Sequence, residues 1–266
     1  MQISILGCGW LGLPLAVSLL EKGFVINGST TSDEKIKMLE DSGINSFLIS
    51  LNEKRIDGDF DVFLENSELL IINIPPKLRG NQTENFVLKI ENVLPFIEKS
   101  TIKKVIFVSS TSVYAEDNFI VTETTICKSE SESGRQLLEV ETLLLSNSNF
   151  KTTILRFGGL IGKDRNPTYM LTGKQNISNP DSPINLIHQE DCIGMIHKII
   201  ETNSFNEIYN AVAPFHPSRK DYYTQKAIEL GLEIPEFNFS KPSIGKTVSS
   251  EKLIQNLNYN FLKPEL

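Results

Sequence analysis

Ile3-Ser4-Ile5-Leu6-Gly7-Cys8-Gly9-Trp10-Leu11-Gly12 is the stretch on which the reading of this chain turns. Its apolar start reads as a buried strand. Glycines follow at once with the spacing G-x-G-x-x-G, and then comes a helical pattern: Leu13, Ala16, Val17, Leu19 and Leu20, closed by Gly23. Strand, glycine spacing and helix in that order build a cradle for the pyrophosphate of a dinucleotide. Gly7 permits the tight turn, Gly9 lets backbone amides come close to the phosphates, and Gly12 lets the helix pack on the strand. The helix N-terminus offers unpaired N–H groups and a partial positive charge to the anion. Pro14 fits this reading, because the first helical turn has no amide partner to lose. Gly7, Gly9, Trp10, Leu11 and Gly12 are therefore expected to contact the cofactor. A chance glycine turn is the competing reading, and the elements on both sides of the motif weigh against it.

Outward from the turn, strands and helices alternate. Strands are expected at residues 24–26, 46–49, 69–74, 104–108 and 152–157, with another short one at 208–210. The run 69–74 is continuously apolar, as a strand covered on both faces should be, and Pro75-Pro76 stops it. Thr31-Ser32-Asp33-Glu34 has capping-box spacing and predicts a helix ending near Gly43. Further helices are expected at about 82–98, 134–147, 191–202 and 217–231, with Asp191 as the cap of its helix. This alternation means an α/β fold with a doubly wound parallel sheet. The predicted dinucleotide-binding domain covers 1–162 and is completed by about 188–213. Segments 163–187 and 214–266, looser and with an irregular C-terminal tail, are expected to form a small substrate-binding lobe.

Composition narrows the function classes. The 266 residues are 40% hydrophobic and 22% charged, which is ordinary for a globular chain with a full core. The net charge of −7 and the lack of a long basic run argue against nucleic acid as a partner. Cys8, Cys127 and Cys192 are scattered and suggest neither a disulfide framework nor a zinc site. No metal set is recognisable among the three histidines and the carboxylates. With no signal pattern and no membrane-length apolar run, the expected location is the cytoplasm, with no membrane partner.

Several further stretches carry a family resemblance. They are Ile72-Asn73-Ile74-Pro75-Pro76, Val108-Ser109-Ser110-Thr111-Ser112-Val113-Tyr114, Leu155-Arg156-Phe157-Gly158-Gly159-Leu160-Ile161-Gly162, Asn185-Leu186-Ile187-His188-Gln189-Glu190-Asp191 and Tyr209-Asn210. With the glycine motif they make the chain resemble the extended short-chain dehydrogenase/reductase superfamily, which includes the NAD-dependent epimerase/dehydratases of nucleotide sugars. The resemblance implies a Rossmann fold, a nicotinamide cofactor and a small-molecule substrate. It also implies cofactor contacts at Ile74, Pro75, Pro76, Ser109 and Phe157. Relatives dimerise through two helices of the sheet, so a homodimer is implied too. Read from the residues alone, Leu137, Leu138, Leu143, Leu144 and Leu145 are plain core.

In that superfamily a serine after the fifth strand works with a Tyr-x-x-x-Lys pair on the next helix. Ser110 matches the serine. Aligned on Gly134, Ser133 takes the tyrosine position and Leu137 the lysine position, so the pair is absent and the chain resembles the atypical members. A positioned general acid or base is worth about 10²–10⁴ in rate, so this departure governs the functional reading. The candidate catalytic residues are Ser110, Tyr114 and Arg135, the last for a phosphate or a carboxylate. Each has a bland reading as well: Tyr114 as a structural side chain and Arg135 as a solvated one. Tyr169 and Lys174 are further candidates for the cleft. His188 reads as a structural histidine at the lobe junction, with a general base as the alternative.

The end of the second strand bears on cofactor choice. NAD-preferring sites place a carboxylate there for the ribose 2′-hydroxyl. This chain has Ser29, Thr30, Thr31 and Ser32 instead, with Lys35 and Lys37 close in sequence. That pattern suits a 2′-phosphate and favours NADP over NAD. Asp33 is the counter-observation, read most simply as a first-turn helix residue. Two functions stay open: an NAD(P)-dependent epimerase/dehydratase-like or reductase-like protein with an altered active site, and a dinucleotide-binding sensor or regulator that does not turn over.

Overall fold

A computed structural model describes residues 1–76, 78, 84–117 and 119–266. β1 (Gln2–Leu6) runs into the glycine turn and α1 (Gly12–Glu21) leaves it. β2 (Val25–Thr30), α2 (Ile36–Asp41) and β3 (Asn45–Leu48) complete the first half. A small hairpin of β4 (Ser50–Leu51) and β5 (Ile56–Asp57) and the short helix α3 (Phe60–Leu64) lead to β6 (Leu69–Ile72). Next come α4 (Phe86–Glu91), α5 (Leu94–Lys99), β7 (Lys104–Ser110), β8 (Ile120–Val121), α6 (Glu132–Leu145) and β9 (Lys151–Phe157). The chain ends with β10 (Gly159–Ile161), β11 (Leu186–His188), α7 (Gln189–Thr202), β12 (Ile208–Ala211), α8 (Arg219–Glu229), β13 (Thr247–Val248) and α9 (Glu251–Leu257).

Seven parallel strands form the central sheet in the order β12-β9-β7-β6-β1-β2-β3. This is the expected doubly wound Rossmann-type α/β fold. The chain winds outward from β1 to β3, then returns to β6 and winds the other way. Such a reversal opens a crevice at the carboxyl ends of the two central strands, and ligands of open α/β sheets bind there. β1 and β6 lie side by side in register from Ile3 against Leu69 to Leu6 against Ile72. The glycine turn therefore opens into that crevice.

The burial of each face follows from composition. β6 is buried at every position, as a central parallel strand must be. On one face, Leu15, Ala16 and Leu19 of α1 pack with Cys192, Met195, Ile196 and Ile199 of α7. On the other face, Phe60, Phe63, Phe86, Ile90, Val140 and Leu144 cover the sheet. Fully burying one such side chain contributes about 1.5–3 kcal/mol, so these two layers dominate the stability. Ile161, Ile184, Leu186, Tyr222 and Tyr223 form a third, smaller cluster of buried side chains.

Four details differ from the sequence reading. The helix expected from residue 31 opens as a 3-10 turn at Asp33–Lys35, and no side chain caps it. The Ser32 amide donates instead to Thr30 Oγ1, which keeps the chain extended one residue longer. The helix expected at 82–98 is two helices, with Pro95 in the first turn of the second; residues 82 and 83 lie outside the described residues. The tail read as irregular contains α9, whose Leu253 and Leu257 join the α1–α7 face of the core together with Tyr259. That part of segment 214–266 thus packs with the sheet rather than with the lobe. Asp191 does not cap α7. His188 does, with Nδ1 accepting from the Glu190 amide at 3.2 Å. The fully buried Asp191 carboxylate accepts from the amides of Leu262 (2.7 Å) and Lys263 (3.0 Å) and from the Tyr259 hydroxyl (3.0 Å), which fastens the C-terminus to α7.

Candidate dinucleotide and active site

The three glycines of the turn have different physical reasons. Gly7 has φ +104°, and a Cβ there would stand 2.7 Å from the Asn73 carbonyl oxygen and 2.8 Å from Ile74 Cγ2. At Gly12 a Cβ would stand 2.2 Å from the Gly7 carbonyl oxygen. Both are closed by the protein itself. Gly9 is exposed, and a Cβ there would meet nothing within 4 Å. Open space thus lies over the middle glycine, where the turn reaches the start of α1. No side chain caps α1, and its first turn holds no acidic residue. Within that turn the Leu13 amide donates to the Gly9 carbonyl (3.0 Å) and the Leu15 amide to the Leu11 carbonyl (3.1 Å), and Pro14 has no amide hydrogen.

Side chains around the turn hold it in shape. The Cys8 amide donates to the Ser29 carbonyl (2.7 Å) and the Gly7 amide to Ser29 Oγ (2.9 Å). Asn73 Nδ2 donates to the Gly7 carbonyl at 3.1 Å. Asn73 follows β6, and the sequence reading missed its role. Ile74 is half-buried against Gly7, Pro75 is exposed and Pro76 buried. Ser29, expected at the ribose, is buried with its hydroxyl engaged by Gly7, so it supports the turn. Thr30 is buried too; only Thr31 and Ser32 reach the rim of the β2 end. Burial pushes the Cys8 thiol up to about 12, which makes it inert at neutral pH.

Trp10 and Leu11 part ways. Leu11 is buried in the core, whereas Trp10 turns toward loop 162–165. Its indole Nε1 donates to Asp164 Oδ1 at 2.8 Å, and its carbonyl accepts from Gln189 Nε2 at 2.6 Å. The Arg165 guanidinium lies over the ring, 5.0 Å from its centroid.

At the carboxyl end of β7 the expected catalytic group comes apart. Ser110 is half-buried and its Oγ accepts from the Ser112 amide at 3.1 Å. Ser109 faces the other way, buried, donating to Glu141 Oε1 at 2.6 Å. Glu141 in turn holds Arg156 through Nε (3.1 Å to each carboxylate oxygen) and Nη2 (2.5 Å). Arg156 Nη1 donates to the Tyr114 hydroxyl (2.7 Å), which donates to Asn210 Oδ1 (2.8 Å). Tyr114 is therefore a buried member of a closed network and not an acid facing the crevice. Burial pushes its hydroxyl up to about 12, against the lowering effect of Arg156. Phe157 likewise lies in the core at the end of β9. The sequence reading placed Ser109, Tyr114 and Phe157 by adjacency to the site; their side chains point into the packing.

α6 sits tightly on the serine loop because residue 134 is glycine. A Cβ there would stand 2.0 Å from Ser129 Oγ and 2.3 Å from the Ser112 carbonyl oxygen. Ser131 caps the helix, accepting from the Gly134 amide. Arg135, expected at the nicotinamide edge, is exposed and forks onto Glu132 through Nε (3.0 Å) and Nη2 (2.6 Å). α6 contains neither tyrosine nor lysine. Ser133 is half-buried, and Leu137 is buried among the apolar side chains. Beyond the serine loop, a polar cleft of about 420 Å³ separates Glu116 and Glu130 from Asn179, Ser182 and Arg219. Lys246, buried behind Glu116, pairs with it and donates to the Tyr114 carbonyl (3.1 Å). Among the described residues no His, Cys, Asp and Glu side chains cluster as metal ligands, and no helix is long and apolar enough to cross a membrane.

No protein-family profile matches the chain. It is 34% identical to Protein YeeZ of Escherichia coli strain K12 over 268 aligned residues, covering 99% of this chain and 97% of that one. The chain belongs to the YeeZ family. Among solved structures, this YeeZ-family chain resembles a conserved protein of unknown function from Silicibacter pomeroyi (TM-score 0.81, 20% identity, 99% and 94% of the two chains). It also resembles a Bacillus cereus UDP-glucuronic acid 4-epimerase solved in complex with NAD (0.82, 19%, 100% and 92%). A third likeness is to a short-chain dehydrogenase/reductase superfamily protein from Agrobacterium tumefaciens with bound NAD (0.81, 15%, 98% and 92%). At these identities the shared property is the fold.

Proposed function

We propose that this YeeZ-family protein binds a nicotinamide dinucleotide at the glycine turn and acts on a small polar substrate of the nucleotide-sugar type. The observation that carries the reading is the open space over Gly9, flanked by two glycines that the protein's own atoms close. The residues fit the group: α1 starts at the open turn with no side-chain cap and no first-turn carboxylate, so its positive end suits a pyrophosphate. Nothing at the end of β2 puts a carboxylate ahead of Asp33, and Lys35 and Lys37 are exposed beyond it. That favours NADP over NAD, with Thr31 and Ser32 as the hydroxyls for the 2′-phosphate. Three free cysteines fit work in a reducing cytoplasm.

When bound, a nicotinamide ring takes a hydride from a carbinol carbon or returns one to a carbonyl. The chain's own part is positional. Ser110 orients the substrate oxygen at the end of β7. Arg219 offers its charge to an anionic group in the cleft, and Glu116 and Glu130 accept from hydroxyls. The proton passes through water, because the positions used by relatives hold Ser133 and Leu137. The buried Leu137 is also the observation favouring a second reading, a sensor that binds the dinucleotide without turnover. Incubation with NADP⁺ or NAD⁺ and UDP-sugars, followed by reduced-nicotinamide absorbance and chromatography of the sugars, separates the two. Converted sugar or reduced cofactor supports the enzyme; tight cofactor binding with neither product supports the sensor.

A further inference from the structure

The contact between the glycine turn and loop 162–165 adds a residue to the cofactor site proposed above, and the argument rests on that reading. Trp10 sits between Gly9 and Gly12, and its side chain is fixed from several directions. Its indole N–H is held by Asp164 (2.8 Å), and its carbonyl by Gln189 (2.6 Å). Gly162 makes room for the ring: a Cβ there would stand 2.8 Å from Trp10 Cζ2. The loop itself is closed by paired backbone hydrogen bonds between Gly162 and Arg165 (2.9 and 3.1 Å). These contacts set Arg165 on the indole face, 5.0 Å from the ring centroid.

Arg165 is exposed, and among the described residues its guanidinium has no ion-pair or hydrogen-bond partner besides the ring. The nearest carboxylate in sequence, Asp164, spends one oxygen on the indole. Lys163 is exposed on the same loop, so the loop brings two cations against one carboxylate. A guanidinium on an aromatic shelf keeps its hydrogen-bonding edges free, and its fork matches phosphate oxygens. We propose that Arg165 ion-pairs with the pyrophosphate of the bound dinucleotide, so that the loop after β10 clamps the cofactor beside the glycine turn.

The chain has one tryptophan, Trp10, so its fluorescence reports directly on this corner. The test is titration of wild type, Arg165→Gln and Arg165→Lys with ADP-ribose, which carries the pyrophosphate without nicotinamide, and with adenosine, which lacks phosphate. Calorimetry supplies the dissociation constants, because Arg165 itself alters the emission. Arg165→Gln is expected to weaken ADP-ribose about tenfold and to flatten its salt dependence, from the strength of a charge-assisted hydrogen bond. Arg165→Lys falls between the two, and adenosine binds all three equally. Equal ADP-ribose affinity in wild type and Arg165→Gln overturns the clamp and leaves the proposed function standing. Weakening of a UDP-sugar but not of ADP-ribose by Arg165→Gln also overturns it, and assigns the guanidinium to the substrate. If wild type binds neither ADP-ribose nor a nicotinamide dinucleotide, the clamp and the proposed function fall together.

Discussion

Replacing each outer glycine of the turn and the middle one by alanine should have opposite consequences. At Gly12 the added Cβ stands 2.2 Å from the Gly7 carbonyl oxygen, which is backbone and cannot swing aside. Overpacking of this kind costs about 1–3 kcal/mol, while alanine in a helix returns roughly 1 kcal/mol over glycine. A 2.2 Å approach to backbone puts Gly12→Ala at the upper end of that cost, so it should lower stability by about 2 kcal/mol net, or about 4–8 °C in midpoint for a chain of this size. At Gly9 the Cβ meets nothing within 4 Å, and the backbone does not need positive φ. Gly9→Ala should leave the midpoint unchanged or raise it slightly, because it mainly restricts the unfolded chain. It should nonetheless weaken dinucleotide binding about 10–100-fold, the loss expected when one or two charge-assisted amide contacts are displaced. Thermal unfolding by circular dichroism and calorimetric titration of the same samples measure both quantities. A Gly9→Ala protein that binds as wild type does would show that the open space is not the ligand's. A Gly12→Ala protein as stable as wild type would refute the packing argument.

Three more expectations follow from the buried network and from α6. Glu141→Gln leaves the Arg156 guanidinium buried without its counter-charge, where the two side chains are 4% and 1% exposed for Arg156 and Glu141. Chemical denaturation should show a loss of about 3–5 kcal/mol; a loss under 1 kcal/mol would mean that water reaches the pair. Tyr114 has its hydroxyl raised from 10 to about 12 by burial, so folding favours the neutral phenol. Its contribution is fully present below pH 10 and is lost as pH rises toward 12, and Tyr114→Phe should lack that part of the alkaline destabilisation. Identical alkaline profiles for the two proteins would contradict the assignment. The double variant Ser133→Tyr with Leu137→Lys introduces the Tyr-x-x-x-Lys spacing that the superfamily resemblance implies but puts an ammonium among buried apolar side chains. It should unfold at lower denaturant than wild type and show no strong epimerase activity; robust turnover of a UDP-sugar at wild-type stability would overturn this.

The glycine turn and the alternation of strands and helices could be read from the sequence because both are local. Residues two to five apart specify a turn or a strand, and the apolar runs mark strands covered on both faces. Side-chain direction is harder to read, because adjacency in sequence does not give it. Along β7 the side chains alternate, so Ser110 lies on the face opposite Ser109, which donates to Glu141 of α6. Period-two alternation outward from Val105 and Phe107 held that signal. Tyr114 takes the structural one of its two readings, for a different reason. Its partners Arg156 and Asn210 come from strands far along the chain, and nothing local announces an ion pair between Glu141 and Arg156. α9 went unread although Leu253 and Leu257 stand four apart behind Ser250, because its other residues are mostly polar and hide the pattern. Asp191 has the sequence signature of a cap. Only the returning C-terminus, seventy-odd residues later, shows what its carboxylate holds.

Calorimetric titration of the full chain with NADPH and with NADH, at matched salt, tests the central claim most directly. The open turn, the uncapped α1 and the carboxylate-free end of β2 predict that both bind and that NADPH binds more tightly. Binding of neither, in reduced or oxidised form, would contradict the claim that this turn is a dinucleotide site.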